Sequence, residues 1–185
     1  MATAVELNGD TVGLGRGGFH ALRQALEEHL GEEATGALQA AGHASGVDLY
    51  QCFLRWLETN TGIAEPGELD ANALGEVLGD FFAALGWGRL SLNRLGTAGL
   101  ALDTENGIEA DPASPSAYPA CHLTAGLLAG FMSCLAHRDV AVMEVECRST
   151  RHPRCRFLLG RAEVLEGVYR ALREGRDYAS VLGAP

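Results

Sequence analysis

Three of the five cysteines stand where thiolate chemistry is available. Cys147 and Cys155 flank a polar turn, and Cys121 opens a helical pattern that leads back towards them. Cys52 and Cys134 instead sit within apolar helical patterns. An odd number of cysteines without a secretion signal argues against a disulfide framework. Thiolates suit zinc, and two ligands at the ends of a hairpin plus one at a helix N-terminus can converge on one ion. The positive end of a helix also favours an anionic sulfur. A closed tetrahedron needs a fourth ligand, and spacing offers Glu144, Glu146 or His152. On a strictly alternating strand, Glu144 and Glu146 share the face opposite Cys147, so either needs a bulge or twist to join it. His152 lies within the turn and needs no such distortion.

Other chemistry is poorly supported. The six histidines are scattered, and no Ser-His-acid arrangement follows from their spacing. Gly13, Gly15 and Gly18 have the spacing of a dinucleotide loop. That mechanism needs a strand before the glycines and a parallel strand after the helix, whereas here helix follows helix. All 14 basic residues are arginine, and the formal charge is -10. An acidic chain repels phosphate backbones, which sets nucleic acid and anionic membrane aside. The run Arg148, Arg151, Arg154 and Arg156 reads as a solvated strand-end face, with a second use in offsetting the charge of a thiolate-rich metal site as the other reading.

The elements that must position these residues follow from periodicity. Phe19, Leu22, Leu26 and Leu30 predict a helix over 19–30, ended by Gly31. A longer helix, 33–59, carries Leu38, Ala41, Leu49, Phe53, Trp56 and Leu57 on its apolar face, with Gly42 and Gly46 four apart. Asp70 caps a helix over 71–85. Residues 87–95 and 98–103 alternate and read as a hairpin around Gly96. A polar, Pro-rich loop spans 106–119. Helix 120–136 follows, with Gly126 and Gly130 four apart, then strands 139–147 and 154–159, and an amphipathic helix over 162–174. Helices and hairpins in this order predict an α+β fold, an antiparallel sheet covered by helices, rather than a βαβ series.

The stretch CHLTAGLLAGFMSCLAHRDVAVMEVECRSTRHPRCRFLLG, residues 121–160, resembles the signature of the 4-vinyl reductase domain family. The resemblance rests on Cys121, the Gly126 and Gly130 pair, Glu144 with Cys147, and Cys155-Arg156-Phe157. The Gly42 and Gly46 helix resembles the family's upstream glycine helix, so the likeness reaches over roughly 17–160. It implies zinc held by Cys121, Glu144, Cys147 and Cys155, which prefers Glu144 to His152. It also implies a fold related to the transport-complex (TRAPP) subunits that hold an acyl chain, and likeness to the domains of phenol-sensing regulators. The turn Ser149-Thr150-Arg151-His152 departs from the family's smaller, Gly-containing turn.

The expectation is a flexible lead-in over 1–16, one zinc-containing ligand-binding domain over 17–175 and a tail over 176–185. The expected function is a zinc-stabilised sensor or carrier of a small apolar or aromatic molecule. Trp56, Phe81, Phe82, Trp87 and Phe131 are candidates to line an apolar pocket, although an aromatic stripe at helical spacing is more often simple core. The alternative is an accessory or carrier protein of (bacterio)chlorophyll or tetrapyrrole biosynthesis. The balance is against an enzyme: four protein ligands leave no open metal position, and no nicotinamide or flavin site is evident. The N-terminus MATAVELNGD lacks the basic and apolar regions of a signal peptide, and no apolar run reaches membrane-spanning length, so a cytoplasmic location is expected. A homodimer is expected from the small-residue face Ala34, Ala37, Ala41 and Ser45, with a separate output protein as the other candidate partner.

Overall fold

Asp70 starts its helix as its side-chain chemistry requires: Oδ1 accepts from the backbone N–H groups of Asn72 and Ala73, each at 2.9 Å. The computed structural model describes residues 12–96 and 99–183. Along them run α1 (Arg16–Leu30), α2 (Glu33–Thr61), α3 (Ala71–Ala84), β1 (Ser91–Leu95), β2 (Gly99–Thr104), α4 (His122–Ala136), β3 (Ala141–Glu146), β4 (Cys155–Gly160), α5 (Ala162–Arg173) and the short α6 (Tyr178–Val181). The first strand is shorter than its alternation predicts, because Trp87 and Gly88 belong to the turn that leaves α3. Helix α6 lies in the stretch expected as a tail. Residues 1–11, most of the expected lead-in, lie outside the described residues, as do residues 97, 98, 184 and 185.

The four strands form one antiparallel sheet in the order β1-β2-β4-β3. Alternation divides its faces. Leu102, Phe157, Leu159 and Val142 face the main core beneath α2, α3 and α4. Ala101, Leu158, Met143 and Val145 face a second, smaller core under α5 and α6. Helices on both faces of an antiparallel sheet make this an α+β fold.

Helices α2 and α4 form the most extensive interhelical contact, meeting through Gly42, Gly46, Gly126 and Gly130. The α2 surface differs from expectation. Ala41 is exposed, because the face towards α4 is the glycine face and Ala41 lies off it. Among the small residues expected to pair two chains, Ala34 is buried, whereas Ala37, Ala41 and Ser45 are exposed. Helix α1 also departs from its pattern. Only Phe19 of its apolar face is buried; Leu22 is 56% exposed, Leu26 half-buried and Leu30 exposed. The helix is fixed at few points, by the Phe19 ring edge-on to Trp87 and by Arg16 and Arg23 donating to the carbonyls of Ile108 and Glu109.

Candidate metal centre

Helix α4, strand β3 and strand β4 each deliver thiolate or carboxylate ligands to one point. The candidate ligand atoms of Cys121, Glu144, Cys147 and Cys155 all lie within 4.8 Å of one another. Cys121 is the N-cap residue of α4, Cys147 follows β3 and Cys155 opens β4. The Cys121 sulfur is 3.8 Å from those of both Cys147 and Cys155. A tetrahedral zinc with Zn–S bonds of about 2.3 Å sets its sulfurs roughly 3.8 Å apart, so this spacing is that of a ligand set. All three cysteines are at most 3% exposed.

Glu144 joins them through an irregularity in β3. Glu144 pairs with Phe157, but Glu146 pairs with Arg156, and the ladder shifts register between them. The extra residue sends the two glutamates to opposite faces of the sheet. Glu144 turns inward, where its Oε2 accepts the Cys121 N–H at 2.8 Å. Its other oxygen, Oε1, is buried and has no hydrogen-bond partner. A buried carboxylate oxygen without a partner is costly, and a cation at the centre of the cluster would satisfy it. His152 lies outside the group: it is exposed, and its Nδ1 is 2.9 Å from the Thr150 hydroxyl. Glu146 turns outward to Arg154 and Tyr178.

The electrostatics point the same way. Burial, then the nearby Cys147 sulfur, pushes Glu144 up to about 8, against the lowering hydrogen bond from Cys121. Hydrogen bonding to Cys147, then to Cys155, and burial raise the Cys121 thiol. Cys147 moves well below an ordinary thiol because Cys121 and Cys155 donate to it. Without a cation the protons are shared so that few of the four groups are charged. A divalent ion lets all four ionise.

The arginines do not do what their sequence position suggests. Among the described residues, no guanidinium donates to a ligand sulfur or to Glu144; the backbone N–H of Arg148 does approach the Cys155 sulfur, at 3.4 Å. The side chains of Arg154 and Arg156 are engaged on the outer face. Arg156 grips Asp103 with two bonds, Nε–Oδ1 at 2.7 Å and Nη2–Oδ2 at 2.6 Å, and donates to the Tyr178 hydroxyl at 3.0 Å. Arg154 pairs with Glu146 at 2.9 Å. Alternation is the reason: Arg156 points away from the face that Cys155 and Phe157 occupy.

Glu109 is not legible from the sequence as part of this site. It lies in the polar loop between β2 and α4, yet is only 1% exposed. Its carboxylate accepts from the N–H groups of Leu123 (3.0 Å) and Thr124 (2.7 Å) and from the Thr124 hydroxyl (2.7 Å). Burial raises its pKa, opposed by these three bonds and by Arg23. Glu109 therefore caps α4 from a distance. Cys121, at the N-cap position, makes no side-chain cap bond, and its sulfur is left to face Cys147 and Cys155. The apolar flank of Ile108 and Ala110 is the only signal of this role in the sequence. Glu109→Ala should cost about 1–3 kcal/mol, because it strands buried donors, and Glu109→Gln less. Chemical denaturation of the three proteins checks the order.

The five candidate pocket residues divide. Phe81, Phe82 and Phe131 are in mutual ring contact, with centroids 5.2–6.2 Å apart, and Phe53 and Trp56 extend the layer. Trp87 stands apart from these rings, at Phe19.

Fold and site together define a helix-covered antiparallel sheet with a cysteine-rich cluster at one hairpin. Residues 101–161 match the family profile of the 4-vinyl reductase (V-4-R) domain, and this segment holds all four cluster residues and Glu109. It is the family whose signature residues 121–160 resemble. No curated protein matches the chain in sequence. Among solved structures, the chain is similar to the phenol-responsive sensory domain of the transcription activator PoxR with phenol (20% identity, TM-score 0.63, covering 80% of this chain and 75% of that one). It is also similar to a vinyl-4-reductase family protein from Methanocaldococcus jannaschii (17% identity, TM-score 0.53, 82% and 83%). A third is a trafficking protein particle complex subunit 3 from Naegleria fowleri covalently bound to palmitic acid (13% identity, TM-score 0.53, 76% and 88%).

Proposed function

We propose that this domain is a small-molecule-binding module, a sensor or carrier, whose second half is stapled by one structural zinc ion. The observation that carries the metal is the convergence of Cys121, Glu144, Cys147 and Cys155 around a buried, unpartnered carboxylate oxygen. Zinc supplies no catalysis in this reading, since four protein ligands close the tetrahedron. The residues do the rest. Cys121 fixes the start of α4, while Glu144, Cys147 and Cys155 fix both strands of the last hairpin. The small-molecule half of the reading is supported by the fold, which the phenol-holding PoxR domain shares. Its ligand wall is the ring layer of Trp56, Phe81, Phe82 and Phe131, with Trp87 at its margin. A tetrapyrrole carrier is the second reading, favoured by the similarity to a vinyl-4-reductase family protein.

Native mass spectrometry of freshly purified protein tests both halves, by the mass of bound metal and of any retained ligand. One zinc per chain is expected; a folded, metal-free protein overturns the reading. Variants then assign the fourth ligand. Glu144→Ala should lose zinc, and His152→Ala should keep zinc and melting temperature unchanged. The reverse pattern would move the ligand to His152.

A further inference from the structure

We propose that the free edge of β3, together with α5, is a homodimer interface in which two chains join their sheets edge to edge. The two edges of the sheet differ. At β1 the exposed Arg94 and the polar Asn93 discourage pairing, as edge strands commonly do. At β3 the residues before the bulge are Ala141, Val142 and Met143, all partly exposed and without a charge or proline among them. Such an edge invites a further strand unless something covers it. Beside it lies a groove of about 680 Å³, bounded by Ala141, Val142 and Met143 on one side and by Leu165, Tyr169 and Arg173 on the other.

The sequence of α5 says what fits there. Glu163, Glu166, Arg170 and Arg173 follow at helical spacings of three and four, so they form one stripe. A two-fold axis crossing α5 near Val168 pairs two antiparallel copies self-complementarily. Glu166 then meets the partner's Arg170, and Glu163 meets the partner's Arg173. The same axis sets Tyr169, 55% exposed, against the partner's Gly167, a position where an added Cβ would meet open space. Acid at one end of the stripe and base at the other is the pattern a two-fold interface requires.

The spacing is also right. Helix α5 touches β3 and β4 alike, so it lies over the gap between them. Strands are about 4.8 Å apart, which puts α5 about 4.8 Å from a two-fold axis lying just outside β3. The two α5 helices would then be about 10 Å apart, within the usual range for packed helices of roughly 8–10 Å. A β3–β3 pair centred near Val142 and an α5–α5 pair centred near Val168 thus share one axis, and the groove is the place of the second helix. The result is a continuous eight-stranded sheet, formed away from the small residues of α2.

Sedimentation equilibrium at micromolar concentration tests this. The unaltered chain should be a dimer. Arg170→Glu with Arg173→Glu turns every cross-axis pair into a repulsion and should weaken dimerisation at least about tenfold. Glu163→Arg with Glu166→Arg should do the same, and all four changes in one chain should restore the dimer. These side chains are on the surface, so circular dichroism and zinc content should be unchanged throughout, which separates a lost interface from a lost fold. A monomeric unaltered chain overturns the proposal. So does a dimer indifferent to both charge reversals, which would place the contact elsewhere, or a four-fold swap that remains monomeric.

Discussion

Cys155→Ser is expected to lower the melting temperature substantially and to remove most of the difference that a chelator makes. In the unaltered protein, zinc would tie α4 to both β3 and β4, and structural zinc contributes on the order of 10 kcal/mol of apparent binding energy to a folded form. Cys155 is completely buried and sits between the Cys121 sulfur, 3.8 Å away, and the Arg148 N–H. Serine keeps the shape but is a poor zinc ligand at neutral pH. The remaining three ligands would hold the ion loosely, so several kcal/mol of that contribution should go. The fold itself should survive in part, because α2, α3 and α4 have their own buried rings, with Phe53, Phe81 and Phe131 wholly inaccessible. The measurement is a pair of thermal melts for each protein, with and without chelator. The unaltered chain should lose stability on chelation and the variant hardly at all. An unaltered chain indifferent to chelation would remove zinc from the account, because four converging buried ligands would then be stable as a proton-sharing cluster.

Periodicity locates the major helices and both hairpins to within a few residues, since apolar faces report burial directly. It misjudges α1. Phe19, Leu22, Leu26 and Leu30 do share a face, but a pattern shows only that a face is apolar, and not whether this chain supplies its cover. The ligand cluster is partly legible. Spacing picks out Cys121, Cys147 and Cys155 and requires a bulge for Glu144, and the ladder does shift between Glu144 and Glu146. Choosing between Glu144 and His152 takes the family resemblance, because alternation alone favours the undistorted residue. The polar residues around the site are least legible. Glu109 reaches the N-terminus of α4, and Tyr178 reaches Arg156 and Glu146, from segments that carry no periodic signal. Long-range capping leaves no local trace of the kind that Asp70 shows before α3.

Gly126→Ala is expected to destabilise the protein by about 3 kcal/mol or more, although alanine is the better helix former by about 1 kcal/mol. The sign is decided by what the new methyl group meets. A Cβ on Gly126 would lie 2.8 Å from the Gln39 carbonyl carbon and closer still to its oxygen; on Gly130 it would lie 3.0 Å from the His43 carbonyl carbon. The arrangement is reciprocal: a Cβ on Gly42 would lie 2.8 Å from the Leu127 nitrogen, and on Gly46 2.8 Å from the Phe131 nitrogen. In each case the obstacle is backbone of the opposite helix, which no rotamer change can move aside. Helices α2 and α4 would have to separate, and α4 carries Cys121 at one end and Phe131 in the ring layer. Separation would loosen the metal cluster and the candidate ligand wall together, so zinc affinity should fall alongside stability. Gly36 provides the comparison. It lies in the same helix α2, but a Cβ there meets nothing within 4 Å. Gly36→Ala should therefore stabilise the chain by about 0.4–1 kcal/mol, through helix propensity and a less flexible unfolded state. Denaturant melts of the two variants, read beside zinc competition with a chromogenic chelator, give opposite signs if the helices meet backbone to backbone. Equal, small effects from both would mean that α2 and α4 stand further apart in solution than the four glycines allow.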